Sequence, residues 1–253
     1  MTGPLSRRTV AKLTGAAAAG VSAVLGGVFD GFEVHLGGAE AAETAGAWET
    51  DLPRPQTATG SKRVADAIAD RRSRREYSDE PLTRAELGQL LWAAQGVTQR
   101  RPGVVDFRAA PSAGATYPLE VFVVNGEPGV EGLDPGIYQY DHGEHELRRR
   151  RAGSFQGRLQ EVAIDQEWVG AAALDLVITG VDERTTGRYG RRGRLRYVPM
   201  EAGHVGENIY LQAESLGLAT VAIGAFRDGD LRELLGVGES HRPLYIFPVG
   251  KRP

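Results

Sequence analysis

From residue 61 onward, helical patterns alternate with short β-branched runs, and this alternation restricts the possible fold more than any other feature. The stretch PLTRAELGQLLWAAQG (81–96) opens with a capping box of Thr83 and Glu86 and carries leucines on one face, which predicts a helix ending near Gly96. EVFVVN (120–125) and ALDLVITG (173–180) are typical of buried strands. Strands interleaved with helices predict an α/β or α+β domain.

Other segments extend this pattern to the end of the chain. SKRVADAIADRR places Val64 and Ile68 one helical turn apart. GIYQYDHGEHELRRR (136–150) predicts a hairpin with its turn near His142 and Gly143. Further helices are predicted at 154–164, 200–216 and 228–236, and strands at 219–224 and 243–250. With 253 residues and 41% hydrophobic content, the chain can bury one sizeable core, so we expect one domain over 61–253.

The first 27 residues have the pattern of a targeting segment. A basic start is followed by a weakly apolar run, and SRRTVAK resembles the twin-arginine export signal with Val10 in place of its usual phenylalanine. This predicts export that depends on Arg7 and Arg8, with the segment either cleaved or kept as a membrane anchor. The alternative is an ordinary N-terminal helix in a cytoplasmic protein. Residues 28–60 are small, acidic and punctuated by proline, which predicts a linker.

The charge and the missing cysteines exclude several classes of protein. A formal net charge of −3 and a pI near 6.0 provide no overall field for nucleic acid or an anionic membrane. The absence of cysteine excludes disulfides, thiolate nucleophiles and cysteine-ligated metals. Only three of the 30 basic residues are lysines, so single arginines carry little information. Groups of arginines are the informative feature.

Two clusters favour ordinary surface structure over a binding site. DHGEHE (141–146) combines histidines and acids but falls at the expected hairpin turn, so we predict no metal site there. The arginines at 148–151 and between 184 and 196 come without an aromatic platform or a nucleic-acid-binding motif, which favours solvated strand and loop faces. Nor does the sequence contain a nucleophile elbow, a Walker loop or a dinucleotide fingerprint.

Four segments together point to a flat ligand that bears a phosphate. RRSRREY (71–77) supplies guanidinium groups and a hydroxyl, which bind a phosphate dianion by charge-assisted hydrogen bonds. APSAGATYPLE (110–120) is small enough for its backbone to approach a ring closely. ATVAIGAF (219–226) ends a predicted strand in glycine and exposes backbone N–H groups. FPVGKRP (247–253) adds Lys251 and Arg252.

The order and spacing of these segments resemble the FMN-dependent nitroreductase family, and within it the SagB-type dehydrogenase branch. PSAGATYPLE is close to that branch's signature, and RYGRRGRLRYVPMEAGHVGENIYLQAESLGL (188–218) is similar to its central block. The resemblance covers some 190 residues. It implies an α+β fold with a central, mostly antiparallel sheet flanked by helices, and a homodimer. It also implies that Asn208 has a structural role.

The resemblance implies a cofactor, FMN, and residues that would hold it. The phosphate and ribityl end would contact Arg71, Arg72, Ser73 and Arg75, with Lys251 or Arg252 adding charge. The isoalloxazine would be lined, from the partner subunit, by Pro111, Ser112, Ala113 and Gly114. Backbone N–H groups at Gly224 and Ala225 would face flavin N5.

The implied reaction is hydride transfer between flavin N5 and an organic substrate, either a small molecule or a peptide. Where azole-forming relatives carry a catalytic lysine–tyrosine pair, this chain has Arg188 and Tyr189. Because arginine stays protonated, Arg188 would bind an anionic or carbonyl group of the substrate, and Tyr189 would donate or accept the proton. Three alternatives remain at this stage: both residues on a surface loop, a non-catalytic flavin-binding protein, or a nucleic-acid-binding domain.

Overall fold

The computed structural model describes residues 49–56 and 62–253, all within one compact unit, Thr44–Pro253. The predicted twin-arginine segment (1–27), with Arg7 and Arg8, and most of the predicted linker lie outside the described residues. In the described part, no helix is both long enough and apolar enough to cross a bilayer.

A seven-stranded sheet forms the centre of the described domain. Its order is β1-β6-β5-β4-β7-β9-β8, and neighbouring strands are antiparallel throughout. The strands are β1 (Glu49–Asp51), β4 (Leu119–Asn125), β5 (Gly136–Asp141), β6 (Glu146–Ala152), β7 (Leu174–Val181), β8 (Leu218–Thr220) and β9 (His241–Lys251). A separate small hairpin contains β2 (Val97–Gln99) and β3 (Phe107–Arg108).

Helices cover both faces of this sheet. They are α1 (Val64–Asp70), α2 (Arg84–Gln95), α3 (Gln156–Val162), α4 (Glu167–Gly170), α5 (Glu183–Tyr189), α6 (Val198–Leu216) and α7 (Asp228–Leu235). One buried cluster joins α2 and α6 to the sheet, for example through Leu90, Ile209 and Phe247. A second joins α3, α4 and α7 to the opposite face. This arrangement confirms the predicted α+β fold with an antiparallel sheet between helices.

The helices that the sequence predicts are present with small changes at their ends. Helix α2 begins with the predicted capping box, in which Thr83 Oγ1 accepts from Glu86 N and Glu86 Oε2 accepts from Thr83 N. Asn208 Nδ2 on α6 donates to Ala93 O at 3.0 Å and ties α6 to α2, and this contact fits the structural role that the resemblance implies. Val64 and Ile68 on α1 are exposed, so the apolar stripe of that short helix is not covered in the described domain.

Three segments differ from the sequence interpretation. Residues 49–51, within the range predicted as linker, pair with β6 and form an edge strand. Of the range predicted as strand 219–224, only the first two residues belong to β8, and they are followed by an isolated bridge between Ile223 and Ile246. The sequence favours strand and loop faces for the arginine-rich stretch 184–196. In the structure this stretch forms α5 and a π-helical turn (Gly193–Tyr197) that leads into α6. Local patterns miss that helix because small and charged residues dominate the stretch.

Candidate functional site

The arginine-rich segment 71–77 lies beside the ends of β8 and β9. Arg74 N donates to Thr220 O at 2.9 Å, and Ser78 N donates to Lys251 O at 3.0 Å. The ring of Tyr77 fills the space next to Gly250, where an added Cβ would approach it to 2.7 Å. Backbone pairing and close packing therefore fix the segment against the sheet.

A tyrosine from α6 links this segment to the strand end that the sequence singles out. Tyr210 Oη lies 3.0 Å from Ser73 Oγ, and Ala222 N donates to the same Tyr210 Oη at 2.7 Å. The Arg71 guanidinium stacks over the Tyr210 ring, 5.1 Å from its centroid. The segments 71–77 and 219–226, far apart in sequence, thus meet at one phenol.

A cavity of about 590 Å³ opens at this junction. It is lined by Arg72, Ser73, Arg74, Arg75, Glu76, Arg252 and Pro253. The exposed guanidinium of Arg75 stacks on Trp168, 5.2 Å from the ring centroid, and makes no hydrogen bond within the described domain. Arg74 Nε is buried without a partner there. A cationic cavity with unused donors fits a phosphate group.

A buried carboxylate behind the cavity holds several of its cations in place. Glu214, with a side chain 4% exposed, contacts Lys62 Nζ at 2.6 Å, Arg252 Nη2 at 2.5 Å and Arg74 Nη2 at 3.7 Å. Burial alone would raise the pKa of Glu214, but the Lys62 hydrogen bond and the Arg252 charge bring it below its ordinary value. An ionised Glu214 therefore anchors the chain terminus at the cavity.

Two of the residues that were predicted to bind the phosphate end of the cofactor have side chains directed away from the cavity. Lys251 does not line the cavity, and its Nζ lies 3.4 Å from Glu86 Oε1 at the start of α2. Arg71 lies on the Tyr210 ring and does not line the cavity. Arg74, which sequence reasoning did not select, lines the cavity instead.

Gly224 and Ala225 form an exposed turn after the strand end. An added Cβ at Gly224 would meet nothing within 4 Å, and neither backbone N–H makes a hydrogen bond within the described domain. Gln166 Nε2 donates to Ala225 O at 3.0 Å. Gln166 is the N-cap residue of α4, and α4 also carries Trp168, on which Arg75 stacks. The helix α4 therefore contacts both the segment with the exposed N–H groups and the cationic cavity.

The loop 111–117 is a second, separate part of the candidate site. Positive φ angles occur at Gly114 (62°), Ala115 (53°) and Tyr117 (42°), a conformation that costs a non-glycine residue roughly 1–2 kcal/mol. Ser112 Oγ accepts from Tyr117 N at 2.9 Å and donates to Glu201 Oε2 at 2.5 Å. These two bonds close the loop and tie it to the start of α6. Such strain is common where a loop serves a ligand.

The structure brings Arg188 and Tyr189 against this loop. Arg188 Nη1 donates to Gly114 O at 3.4 Å, and a Cβ added at Gly114 would lie 2.5 Å from Tyr189 Oη. Pro111, Ser112, Ala113 and Gly114 are half-buried or exposed. The predicted catalytic pair and the predicted ring-lining loop are therefore neighbours on one protomer.

Glu201 is a buried acid that sequence reasoning missed. Glu201 is only 3% exposed. Burial raises the pKa of Glu201 to about 7, against the opposing hydrogen bonds from Ser112 and Gln95 and the charge of Arg108. Its helical spacing with Val198, Ala202 and Val205 places it on the buried stripe of α6, a signal that the sequence does contain.

The two parts of the site lie toward opposite ends of α6. Glu201 holds the loop 111–117, whereas Tyr210 and Glu214 hold the cationic cavity. At 1.5 Å per residue, the helix separates Glu201 from Glu214 by roughly 20 Å. One chain therefore carries both sets of residues without placing them around one ligand pocket.

Comparison with known proteins identifies the family. The Nitroreductase family model matches residues 68–251. The chain belongs to the Nitroreductase family. A relative from Methanocaldococcus jannaschii, named as a candidate nitroreductase, is 44% identical over 190 residues, which are 75% of this chain and 91% of the relative. A candidate nitroreductase structure from Ralstonia eutropha is 29% identical with a TM-score of 0.69, covering 84% of this chain and 93% of that one.

Two further matches are more distant in sequence. The trifolitoxin operon protein TfxC of Rhizobium leguminosarum is 24% identical over 212 residues, covering 79% of this chain and 59% of TfxC. The Escherichia coli microcin synthetase McbBCD complex shares the fold, with a TM-score of 0.62 at 19% identity, over 100% of this chain and 84% of that one. The predicted family is confirmed, and the TfxC match supports the predicted branch. This nitroreductase-family protein is an oxidoreductase whose family implies a flavin cofactor.

Proposed function

We propose that this nitroreductase-family protein is an FMN-dependent oxidoreductase that transfers hydride between flavin N5 and an organic substrate. One observation carries the proposal: Arg72, Ser73, Arg75 and Arg252 surround a cationic cavity beside a strand end with unpaired N–H groups. A terminal phosphate favours FMN for this cavity, because the described sequence offers no adenine-binding motif.

The residues around the cavity would hold and orient the cofactor. Bound FMN would supply the two-electron hydride chemistry at N5. Arg72, Ser73, Arg75 and Arg252 would bind the phosphate, with Glu214 fixing Arg252 and limiting the excess positive charge. The N–H groups of Gly224 and Ala225 would donate toward N5. Backbone suits that task because it does not titrate at physiological pH.

The second part of the site would serve the substrate face of the flavin. The loop Pro111–Gly114 would line the ring, and Ser112 would keep the loop closed through Glu201. Tyr189 would hold or deliver the proton that accompanies hydride transfer. Arg188, which keeps its charge, would bind an anionic or carbonyl group of the substrate.

The separation of the two parts supports a homodimer with sites built across its interface. In one chain they lie toward opposite ends of α6, roughly 20 Å apart. A second copy with two-fold symmetry would bring the loop of one protomer to the cavity of the other, since each such interface is self-complementary. A monomer would then carry two incomplete half-sites.

The substrate is a small electron-poor molecule or a peptide, and the relatives favour the peptide. A relative that is 30% identical over 114 residues, covering 44% of this chain and 30% of the relative, is named as a trifolitoxin-processing protein. The microcin synthetase structure contains a bound truncated pro-peptide. These names support SagB-type oxidation of a peptide as the specific activity, with nitroreductase-like reduction of small acceptors as the alternative.

We also propose that the protein is exported folded, with its cofactor, by the twin-arginine route. The motif around Arg7 and Arg8 supports this, and it precedes the described domain. Replacing both arginines by lysine should retain the protein in the cytoplasm, as measured by cell fractionation. Continued secretion of that variant would contradict the proposal.

The central test is the identity and behaviour of the bound cofactor. Mass spectrometry of the cofactor released from the purified chain should give FMN; FAD or no flavin would contradict the proposal. Bleaching by a reductant and recovery of colour with an added acceptor would exclude an inert flavin carrier, and flavin colour itself would remove the nucleic-acid-binding alternative.

A substitution then links the cofactor to the cavity. Arg75→Ala should weaken FMN binding by about 1.5–3 kcal/mol, the cost of losing a charged hydrogen-bond partner, while the far-ultraviolet spectrum stays parental. The half-buried Arg232 on α7 does not line the cavity and offers a control as Arg232→Ala. An unchanged FMN dissociation constant in Arg75→Ala would remove Arg75 from the site.

A further inference from the structure

A closed circuit of polar contacts holds the base of the proposed flavin-lining loop. The Arg108 guanidinium stacks on Tyr117, 4.4 Å from the ring centroid, and Arg108 N donates to Tyr117 Oη at 3.3 Å. Tyr117 N donates to Ser112 Oγ, and Ser112 Oγ donates to Glu201 Oε2. Gln95 hydrogen-bonds to Glu201, and its Oε1 accepts from Arg108 Nη1 at 2.9 Å. We call these five residues the Arg108 network.

The cation of the Arg108 network is held by neutral groups. Arg108 is half-buried, between Gln95, which is 1% exposed, and Tyr117, which is 5% exposed. Burial lowers the pKa of Arg108, and the acid whose charge opposes this most, Glu120, is itself paired with Arg184 at 2.6 Å. In the described part of the chain, no carboxylate forms an ion pair with Arg108. The orientation of its guanidinium therefore depends on uncharged acceptors.

A histidine of the β5–β6 turn accepts from the other end of this guanidinium. Arg108 Nη2 lies 2.7 Å from His142 Nε2. A guanidinium has donors and no acceptor, so this nitrogen is unprotonated and His142 is neutral, with its proton on Nδ1. Protonated His142 would place two N–H groups and two positive charges against each other. Because the guanidinium is planar and rigid, displacing this end also displaces the face that covers Tyr117 and the nitrogen that donates to Gln95.

The surroundings of His142 favour its neutral form. Burial, followed by the charge of Arg108, lowers the pKa of His142, while Asp141 and Glu120 oppose the shift. The charged and titratable groups around it are Asp141, Glu144 and His145 on its own turn, Arg100 and Arg108 from the β2–β3 hairpin, Glu120 from β4 and Arg184 from α5. The contact with Arg108 is therefore present at and above the ordinary histidine pKa of 6.5 and is lost as the pH falls through the lowered value.

We propose that Arg108 is a positioning residue for the loop 111–117, and that His142 makes this role sensitive to acid: neutral His142 holds Arg108 in its network, and protonated His142 displaces it and loosens the loop. The consequence for turnover rests on the proposed function, in which this loop lines the flavin ring. The inference deepens that function by naming a regulation of the same site. It also gives a role to one histidine of the cluster DHGEHE, for which the sequence favours ordinary turn structure.

Titration of the histidine rings, followed by nuclear magnetic resonance on the full chain, tests the contact itself. The His142 signal is identified as the one that is missing from His142→Gln. Its midpoint should lie below pH 6.5 in the parent and should rise in Arg108→Gln, because that variant removes the neighbouring positive charge. An equal midpoint in the parent and in Arg108→Gln would overturn the proposal.

Hydrogen–deuterium exchange of the peptide that covers the loop tests whether this contact holds it. Exchange is measured above and below the His142 midpoint and is corrected for the intrinsic change of rate with pH. Protection in the parent should fall about tenfold on the acid side, the loss expected for one charged hydrogen bond. His142→Gln gives Arg108 an amide acceptor that does not titrate, so its protection should change less than about twofold. Arg108→Gln should have low protection at both pH values.

His204→Gln is the matched control, because His204 is exposed on α6 and makes no hydrogen bond in the described domain. It should lose protection in acid as the parent does. Acid loss that persists in His142→Gln would assign it to another group, such as His145 or Glu201, and overturn the proposal. Parental protection that is equal at the two pH values would overturn it too. His142→Gln changes a turn residue, so it decides the question even if Arg108→Gln does not fold.

A reoxidation experiment separates failure of this inference from failure of the proposed function. Chemically reduced holoenzyme is mixed anaerobically with a quinone, which takes up two electrons and two protons to give the hydroquinone. The rate should fall about tenfold below the His142 midpoint in the parent and in His204→Gln, and less than about twofold in His142→Gln. If the parent and His142→Gln lose activity equally in acid, the inference is refuted and the oxidoreductase stands. If no reoxidation occurs at any pH, the proposed function fails, and hydrogen exchange, which needs no flavin, still decides the role of Arg108 and His142.

Discussion

Glu201, which holds the strained loop 111–117 through Ser112, should make the folding stability of the protein depend on pH. Its raised pKa, about 7 against an ordinary value of 4.5, means that the folded chain holds a proton that the unfolded chain releases. Folding stability should therefore be fully present below pH 4.5 and fall as pH rises toward 7, by up to about 3 kcal/mol. Glu201→Gln keeps an acceptor for Ser112 but does not titrate, so the Glu201 part of this pH dependence should disappear, whereas the part from the buried Asp175, whose pKa burial also raises, should remain. Urea unfolding at pH 5 and pH 8 measures it.

The comparison is made at one protein concentration, because unfolding of an oligomer depends on it. Ser112→Ala is the second variant, since it removes the hydroxyl that donates to Glu201 at 2.5 Å and leaves the acid in place. Losing that hydrogen bond should raise the pKa of Glu201 further, so Ser112→Ala should keep the pH dependence. Parallel stability curves for the parent and Glu201→Gln would show that Glu201 does not titrate in this range.

Tyr189 is the residue on which the proposed proton transfer depends. Tyr189→Phe keeps the ring that packs between Gly114 and Tyr197 and removes only the hydroxyl. Loss of general acid catalysis should lower turnover roughly a hundredfold on the native substrate or on a quinone whose reduction needs a proton. FMN content should remain parental. Tyr245→Phe, which removes a hydroxyl outside both parts of the site, should retain full turnover; equal rates in both variants would remove Tyr189 from the mechanism.

At the scale of elements, two adjacent cationic residues at the end of β9 contact different parts of the structure. Because side chains alternate along an extended strand, Lys251 reaches Glu86 at the start of α2, whereas Arg252 reaches the cavity and Glu214. Arg252→Ala should weaken FMN binding by about 1.5–3 kcal/mol, and Lys251→Ala should leave it unchanged. Equilibrium titration of FMN into the flavin-free variants measures both.

The same pair distinguishes a role at the cofactor from a role in folding. Lys251→Ala breaks a half-buried ion pair at a helix start, and the free energy of unfolding should fall by about 1 kcal/mol. Equal loss of FMN affinity in both variants would mean that the strand end binds phosphate through its general charge. In that case the observed pairing of Lys251 with Glu86 would not persist when FMN binds.

For the whole molecule, hybrid dimers test whether sites form across two protomers. Arg75→Ala damages the cavity, and Tyr189→Phe damages the loop side. If each site combines the cavity of one protomer with the loop of its partner, a hybrid of the two variants has one intact site and should recover about half the parental turnover. If each site belongs to one protomer, the hybrid contains no intact site and stays inactive.

Two affinity tags allow the hybrid to be purified away from both parent dimers. Each variant homodimer serves as its own control, because Arg75→Ala should bind FMN more weakly by about 1.5–3 kcal/mol and Tyr189→Phe should keep the parental affinity. At FMN concentrations that fill only the intact cavities, the hybrid should hold about one FMN per dimer under either arrangement, so turnover and not flavin content decides the question. Light scattering that shows a monomer would contradict the shared site directly.

Local patterns in the sequence were sufficient to predict the elements and the family. The capping box of Thr83 and Glu86, the leucines of α2 and the β-branched runs of β4 and β7 each depend on neighbouring residues, and all appear where expected. The order of the four motifs predicted the family because a family preserves order and spacing. The helix α5 was missed since glycine, threonine and arginine give no apolar stripe within seven residues.

The sequence by itself therefore determined the α+β class and the family. That the arginine-rich segment and the loop 111–117 are parts of a flavin-type site stays a prediction. Only the tertiary structure decided which residues of these segments act together. Ser112 and Glu201 are 89 positions apart, and Ser73 meets Tyr210 across 137, so no local pattern links them. The physical reason is that helix and strand periodicity fixes which face a side chain takes, whereas packing across the sheet fixes what it meets. Because of that packing, Arg252 lines the cavity and Lys251 contacts the start of α2. The two parts of the candidate site lie toward opposite ends of α6.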